Sequence, residues 1–385
     1  MATQSSQFFA FRPDILPGAR FLLNLLVAAT VLFPFVPRIL DRDLQPTYLF
    51  FLLLWIAIGG YRTISKRVFI LACTAFLIMV YRTRFGYDIY DQSRGLVFYL
   101  TPVLMIVYLR NINLAETETL IRAARYTLHL YVLFAAIQFL GLDTLNLLDG
   151  ARVSADRGVS SLCPEPSMFG FVLTSIAIFL ASSQRLKTLD LAVFMMGMLM
   201  CGAASAILAA IPFLFGTVRE LVSRSRYKTA YGTALIVLLV ATVFAAGAVL
   251  PGRILGLLSF RGDLSEFSDF SVLERIGHVY FVFFQNSLLT GGAAPWGTAY
   301  LAFIGQNDIF RFGSDVNNIL SSLGAVVYDG GILGFLFIFF LFRFSEARHL
   351  ALHSKASIFL LAIQSMSFAV PVLWLAAFSG LIKKK

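Results

Sequence analysis

Charge is scarce in this chain. Of its 385 residues only 14% are Asp, Glu, Lys or Arg, against about 25% in soluble globular proteins, and 58% are apolar. That balance excludes a cytosolic enzyme, a disordered tail and a disulfide scaffold, and it places the chain among polytopic membrane proteins. Cysteine is scarce too: Cys73, Cys163 and Cys201 are too few and too scattered for a disulfide framework or a metal knuckle. Histidine occurs four times. His349 and His353 have the spacing that puts two imidazoles on one helix face, but the glutamate of an HExxH motif is missing. A solvated helix face accounts for the pair, and no metal is expected. The net charge of +10 does not point to nucleic acid, because the aromatic residues sit inside apolar runs and not along a basic groove.

What is abundant is apolar sequence in runs. They lie near 21–36, 46–60, 68–81, 95–109, 126–142, 166–181, 188–201, 204–218, 229–250 and 330–342, with a last one, 356–381, broken by Pro371. The expected fold is all-α, a polytopic helical bundle of eleven or twelve spans. The first run follows Arg12 and Arg20 without a small-x-small cleavage site, so it reads as an uncleaved span. Two runs, 68–81 and 188–201, would rise only about 21 Å against a hydrocarbon core of about 30 Å. They must extend into polar flanks or border a wet cavity.

Placing the N-terminus in the cytoplasm puts 20 of the 31 basic residues inside and most acidic residues outside, as the positive-inside rule requires. In that arrangement every lysine is cytoplasmic, so the outer basic residues are all arginine. Lysine is a hydrated point charge, whereas guanidinium is a fixed fork that grips phosphate oxygens in pairs. Arginine-only outer loops therefore suggest a phosphate or diphosphate ligand; surface ion pairing with the outer carboxylates is the plainer alternative.

The chain divides into residues 1–250 with nine spans, a long outer loop over 251–314, and C-terminal spans over 315–385. Two outer loops hold the chemistry. The loop over 143–163 carries Arg152 and Arg157 and leads into Cys163-Pro164-Glu165-Pro166-Ser167. The prolines favour a helix start there, which holds Glu165 at its N-terminus either as a capping carboxylate or as a group that orients or deprotonates a hydroxyl. In the long loop, Ser271 to Leu289 reads as an amphipathic helix with Val272, Ile276, Val279 and Phe283 on one face and Glu274, Arg275 and His278 on the other. That second face is either solvated or able to clamp an anion and move a proton. Beyond it come Gly291-Gly292, the turn Pro295-Trp296-Gly297, and Asp315-Val316-Asn317-Asn318, where the asparagines are helix caps or sugar-hydroxyl partners. Asp329-Gly330-Gly331 then breaks the chain ahead of a span.

These pieces together resemble the bacterial O-antigen polymerase and O-antigen ligase superfamily of membrane glycosyltransferases. The resemblance rests on Arg157 to Pro166, on Arg275 to Gly297, and on Asp315 to Gly334. It implies a GT-C-like bundle in the bacterial inner membrane with its site facing the periplasm. The implied reaction moves a glycan from an undecaprenyl diphosphate carrier to an acceptor hydroxyl, with no cofactor and no metal. Arg157 and Arg275 would hold the diphosphate, with Arg152 competing for the first place. Glu165 and His278 are both candidates for the base, and Glu274, Asp315, Asn317 and Asn318 for substrate contacts. Expected partners are the lipid-linked donor and acceptor, the bilayer and a chain-length regulator. Ligases usually carry a histidine where this chain has Asn317, which favours the polymerase. A secondary transporter or lipid flippase is the rival class, but it needs ionisable groups within the spans, where His129 is the clearest example.

Overall fold

The computed structural model describes residues 17–36, 46–60, 65–141, 158–224, 277–306, 321–344, 350–364 and 366–382. All regular structure among them is helical. In chain order the helices are α1 (Pro17–Leu32), α2 (Thr47–Trp55, continued by a π-turn at Ile56–Gly60), α3 (Lys66–Arg82), α4 (Ile89–Asn111) and α5 (Leu114–Phe139). They are followed by α6 (Pro166–Ser182), α7 (Thr188–Cys201), α8 (Ala204–Arg224), α9 (Trp296–Gln306), α10 (Ser322–Gly330), α11 (Ile332–Phe344), α12 (Leu352–Gln364) and α13 (Pro371–Ala377).

Among the described residues three segments are long and apolar enough to cross a membrane: Lys66–Phe85, Ile89–Asn111 and Leu114–Phe139. Two shorter apolar helices, Pro166–Ser182 and Thr188–Cys201, pack against Leu114–Phe139. Large apolar side chains such as Phe50, Phe69, Phe76 and Phe139 stay exposed on the outside of the bundle, as expected where the solvent is lipid. The core centres on α6, whose residues from Phe169 to Leu180 are all buried. It packs on α5, α7, α8 and α13.

Local chemistry explains the boundaries. Ser65, Asp88 and Ser321 each accept a backbone N–H bond at the start of α3, α4 and α10. Asn113 and Glu116 form a capping box that opens α5 at Leu114, well before the apolar run that begins near 126. The charged first turns of α5 are stable because they are pinned to neighbours. Arg20 donates to both carboxylate oxygens of Glu116 at 2.6 and 3.2 Å, Arg185 pairs with Glu118, and Arg125 meets the buried Asp190 at 3.0 Å. His129 lies 3.1 Å from the other Asp190 oxygen, so the one histidine singled out among the spans belongs to this polar joint between α5 and α7.

Of the two short runs, 68–81 does extend into its flanks, as α3 with a 3₁₀ turn over Thr83–Phe85. The run 188–201 remains a 14-residue helix ended by Gly202 in the left-handed region. The last run is two helices. Between them Ser322 of α10 donates to Met366 O at 2.6 Å and accepts from Phe368 N at 3.2 Å, while Tyr48 donates to Ala369 O. Unwound backbone inside an apolar bundle needs such partners.

Candidate functional site

The end of α3, the start of α4, the segment over 277–306 and the α10–α11 corner meet at one place. The corner turns at Gly331, with φ +53, and the facing loop turns at Gly291, with φ +72. Gly292 N donates to Tyr328 O at 2.9 Å, and Ile332 N donates to Leu289 O at 3.0 Å. The two turns interlock so closely that a Cβ on Gly331 would fall 2.4 Å from Leu289 O, and one on Gly291 2.4 Å from Tyr328 O. Only glycine supplies both the conformation and the space. Around the joint Phe85, Phe281, Trp296, Tyr300, Phe303 and Tyr328 form an aromatic core separate from the main one.

Two arginines that topology reading assigns to the outer face sit on this joint. Arg82 Nε lies 3.2 Å from Asp329 Oδ2, with both side chains largely buried, and Tyr99 donates to the same carboxylate oxygen at 3.1 Å. Arg82 Nη1 donates to Asp91 O at 2.8 Å, and its guanidinium stacks 4.4 Å from the Tyr87 ring. It crosses α4 at Gly95, where a Cβ would fall 1.8 Å from Nη1. Burial, reinforced by the Asp329 carboxylate, pushes the Tyr87 phenol above its ordinary range, so this hydroxyl remains protonated while it accepts the Trp296 N–H at 3.2 Å. Arg84 is exposed. Its Nη2 donates to Thr290 O at 2.6 Å and Gly292 O at 2.9 Å, and its guanidinium carbon stands 3.6 Å from the Tyr81 ring centre and 4.5 Å from that of Phe85.

Glu165 occupies the expected place. It is the residue before α6, with extended backbone, and Pro166 opens the helix. Its carboxylate does not cap the helix; it accepts the hydroxyl proton of Ser167. The chain that reaches it is tied down: Val159 N donates to Met200 O at 3.0 Å, and Ser161 N to Gln138 Oε1 at 2.7 Å. Gly158, at φ +77, lies against Cys201 O. Burial raises the Cys163 thiol well above its ordinary range, so it stays protonated.

His278 corrects the expected pattern. It is fully buried, 4.3 Å from the Tyr300 ring centre and 4.9 Å from that of Trp296. The buried positions are Gly277, His278, Phe281 and Val282, while Tyr280 and Phe284 are exposed and stack on each other. The helix over 277–280 passes into a π-turn at Phe281–Gln285, and the aromatic partners on α9 draw in the face that carries the imidazole. Over 277–285 the buried face is thus shifted by about one residue from the expected phase, roughly 100°. The expected helix to Leu289 ends instead at Gln285.

Arg152, Arg157, Glu274, Arg275, Asp315, Asn317 and Asn318 lie outside the described residues. Arg157 directly precedes the anchored Gly158, and Arg275 stands three residues before His278. Sequence reasoning missed Arg82, Arg84, Tyr87 and Tyr99 as members of the joint. Their signal was the arginine-only outer face, to which both arginines belong. No protein-family model matches the chain, and no curated protein matches it.

Proposed function

We propose that this membrane protein polymerises lipid-linked oligosaccharide repeat units of O-antigen or a related surface polysaccharide. The site would face the periplasm in the inner membrane, and the donor would be an undecaprenyl-diphosphate-linked glycan. Arg157 and Arg275 hold the diphosphate leaving group as the glycosidic bond to it breaks. An acceptor hydroxyl attacks the freed anomeric carbon, with Glu165 as the group that takes its proton. His278 is less suited to that step, since its ring is enclosed by Trp296 and Tyr300. Two charge-assisted hydrogen bonds of about 1.5 to 3 kcal/mol each to developing diphosphate charge amount to some 10³-fold in rate.

The observation that supports this reading is the interlock of Gly291 with Gly331. It joins two of the three segments on which the resemblance rests, far apart in sequence, into one rigid platform. The third segment is anchored at Val159, two residues after the proposed clamp residue Arg157, and at Glu165.

Purified protein given lipid-linked repeat units, without metal or nucleotide, should yield a ladder of longer glycans. Transfer of one block onto lipid A core would mark a ligase instead. Arg157→Ala and Arg275→Ala should each reduce ladder formation by at least two orders of magnitude, a loss of about 3 kcal/mol in transition-state binding, without loss of the protein from the membrane. Arg→Lys should rescue poorly. Full activity in both alanine variants would sink the clamp.

A further inference from the structure

We infer that Arg84 and the exposed stripe of α3 form a seat for a lipid-borne phosphate, with the phosphate on the guanidinium and the hydrocarbon tail along the helix. Phe69, Cys73, Phe76 and Val80 are all exposed. They recur at three- and four-residue intervals, one line down the helix surface, and Arg84 lies four residues beyond Val80 in the 3₁₀ turn that follows the helix. From 69 to 84 this line rises about 22 Å, more than half of a hydrocarbon core of about 30 Å. A lipid lying on it would bring its headgroup to the level of Arg84.

The guanidinium is prepared for an anion. Arg20, Arg82, Arg94, Arg125 and Arg185 each pair with a carboxylate. Arg84 has no carboxylate partner among the described residues, although it is exposed. Its Nη2 carries both carbonyl bonds, which leaves the Nε and Nη1 donors uncommitted among the described residues. Two aromatic rings and two carbonyls hold it in one orientation, so little side-chain freedom remains to be lost when a ligand binds. Phosphate oxygens are the acceptors that such a fork fits, and the apolar stripe beneath selects an anion carried on a hydrocarbon chain. The choice of a polyprenyl diphosphate among such lipids rests on the function proposed above, and makes Arg84 a third arginine of the carrier site.

The test uses full-length protein in phosphatidylcholine nanodiscs, with binding of undecaprenyl diphosphate, phosphatidylglycerol and soluble pyrophosphate measured separately. Arg84→Ala should weaken undecaprenyl diphosphate binding about tenfold or more. Arg84→Lys should recover only a small part, and Phe76→Ser should weaken the lipid while sparing pyrophosphate. Unchanged affinity in a folded Arg84→Ala protein overturns the inference, and the polymerase reading survives that result if the variant still builds a glycan ladder. If Arg84→Ala fails to fold, full affinity in Arg84→Lys overturns it instead. Pyrophosphate binding as tight as the prenyl lipid overturns the role of the stripe. Equal, Arg84-dependent binding of phosphatidylglycerol upholds the lipid-phosphate seat and counts against the carrier as its occupant.

Discussion

Asp329 is the residue on which the described part of the site turns. It is a buried carboxylate that meets Arg82 at 3.2 Å and Tyr99 at 3.1 Å. A buried pair contributes little net stability compared with an apolar replacement, yet removal of one member strands the other's charge. Arg82→Ala and Asp329→Ala should therefore each cost about 3 to 5 kcal/mol, while the double change Arg82→Met with Asp329→Leu costs clearly less. Unfolding midpoints in detergent would check this, and equal losses in all three would refute the pairing. Tyr99→Phe, which deletes one hydrogen bond to a charged acceptor, should cost about 1.5 to 3 kcal/mol. Asp329 was visible in the sequence as an acid among glycines ahead of a span. Arg82 and Tyr99 were not, because what identifies them is a partner in a distant helix.

At the scale of elements, breaks written in proline and glycine were legible. Pro166 opens α6, Pro371 separates the last two helices, and Gly331 turns the α10–α11 corner. Each is a backbone restriction carried by a single residue type. The start of α5 was not legible, since its first turns are charged and owe their stability to ion pairs with α1 and α7. Nor was the π-turn at Phe281–Gln285, because periodicity assumes a constant turn, nor the burial of His278, which is enclosed by the rings of Trp296 and Tyr300 on α9. Gly291→Ala and Gly331→Ala each place a methyl group against a carbonyl and force L-geometry into positive φ, at about 1 to 3 kcal/mol. Limited proteolysis should then cut at the Leu288–Gly292 loop in either variant and spare it in the parent. Equal resistance would show that the interlock bears no strain.

For the whole molecule, composition alone pointed to a membrane protein, and three helices of sufficient length and apolarity agree with it. The arginines of the proposed clamp were legible as residue types on one face of the expected topology, but their mutual placement depends on segments outside the described residues. The three thiols offer a check on the bundle. Cys73 is exposed on the apolar outside, whereas Cys163 and Cys201 are buried, and the Cys163 thiol is held protonated. In nanodiscs a hydrophilic maleimide should modify none of them, a lipid-soluble maleimide Cys73 alone, and either reagent all three after denaturation in SDS. Rapid modification of Cys73 by the hydrophilic reagent would mean that α3 faces water.

That same sulfur sits near the far end of the α3 stripe, about 16 Å along the helix from Arg84. Nature has thus installed a spectroscopic handle where a guest's tail would pass. A nitroxide coupled there reads immersion depth through its collisions with dissolved oxygen, and broadens when a spin-labelled polyprenol drifts alongside, with no residue of the wild-type protein exchanged.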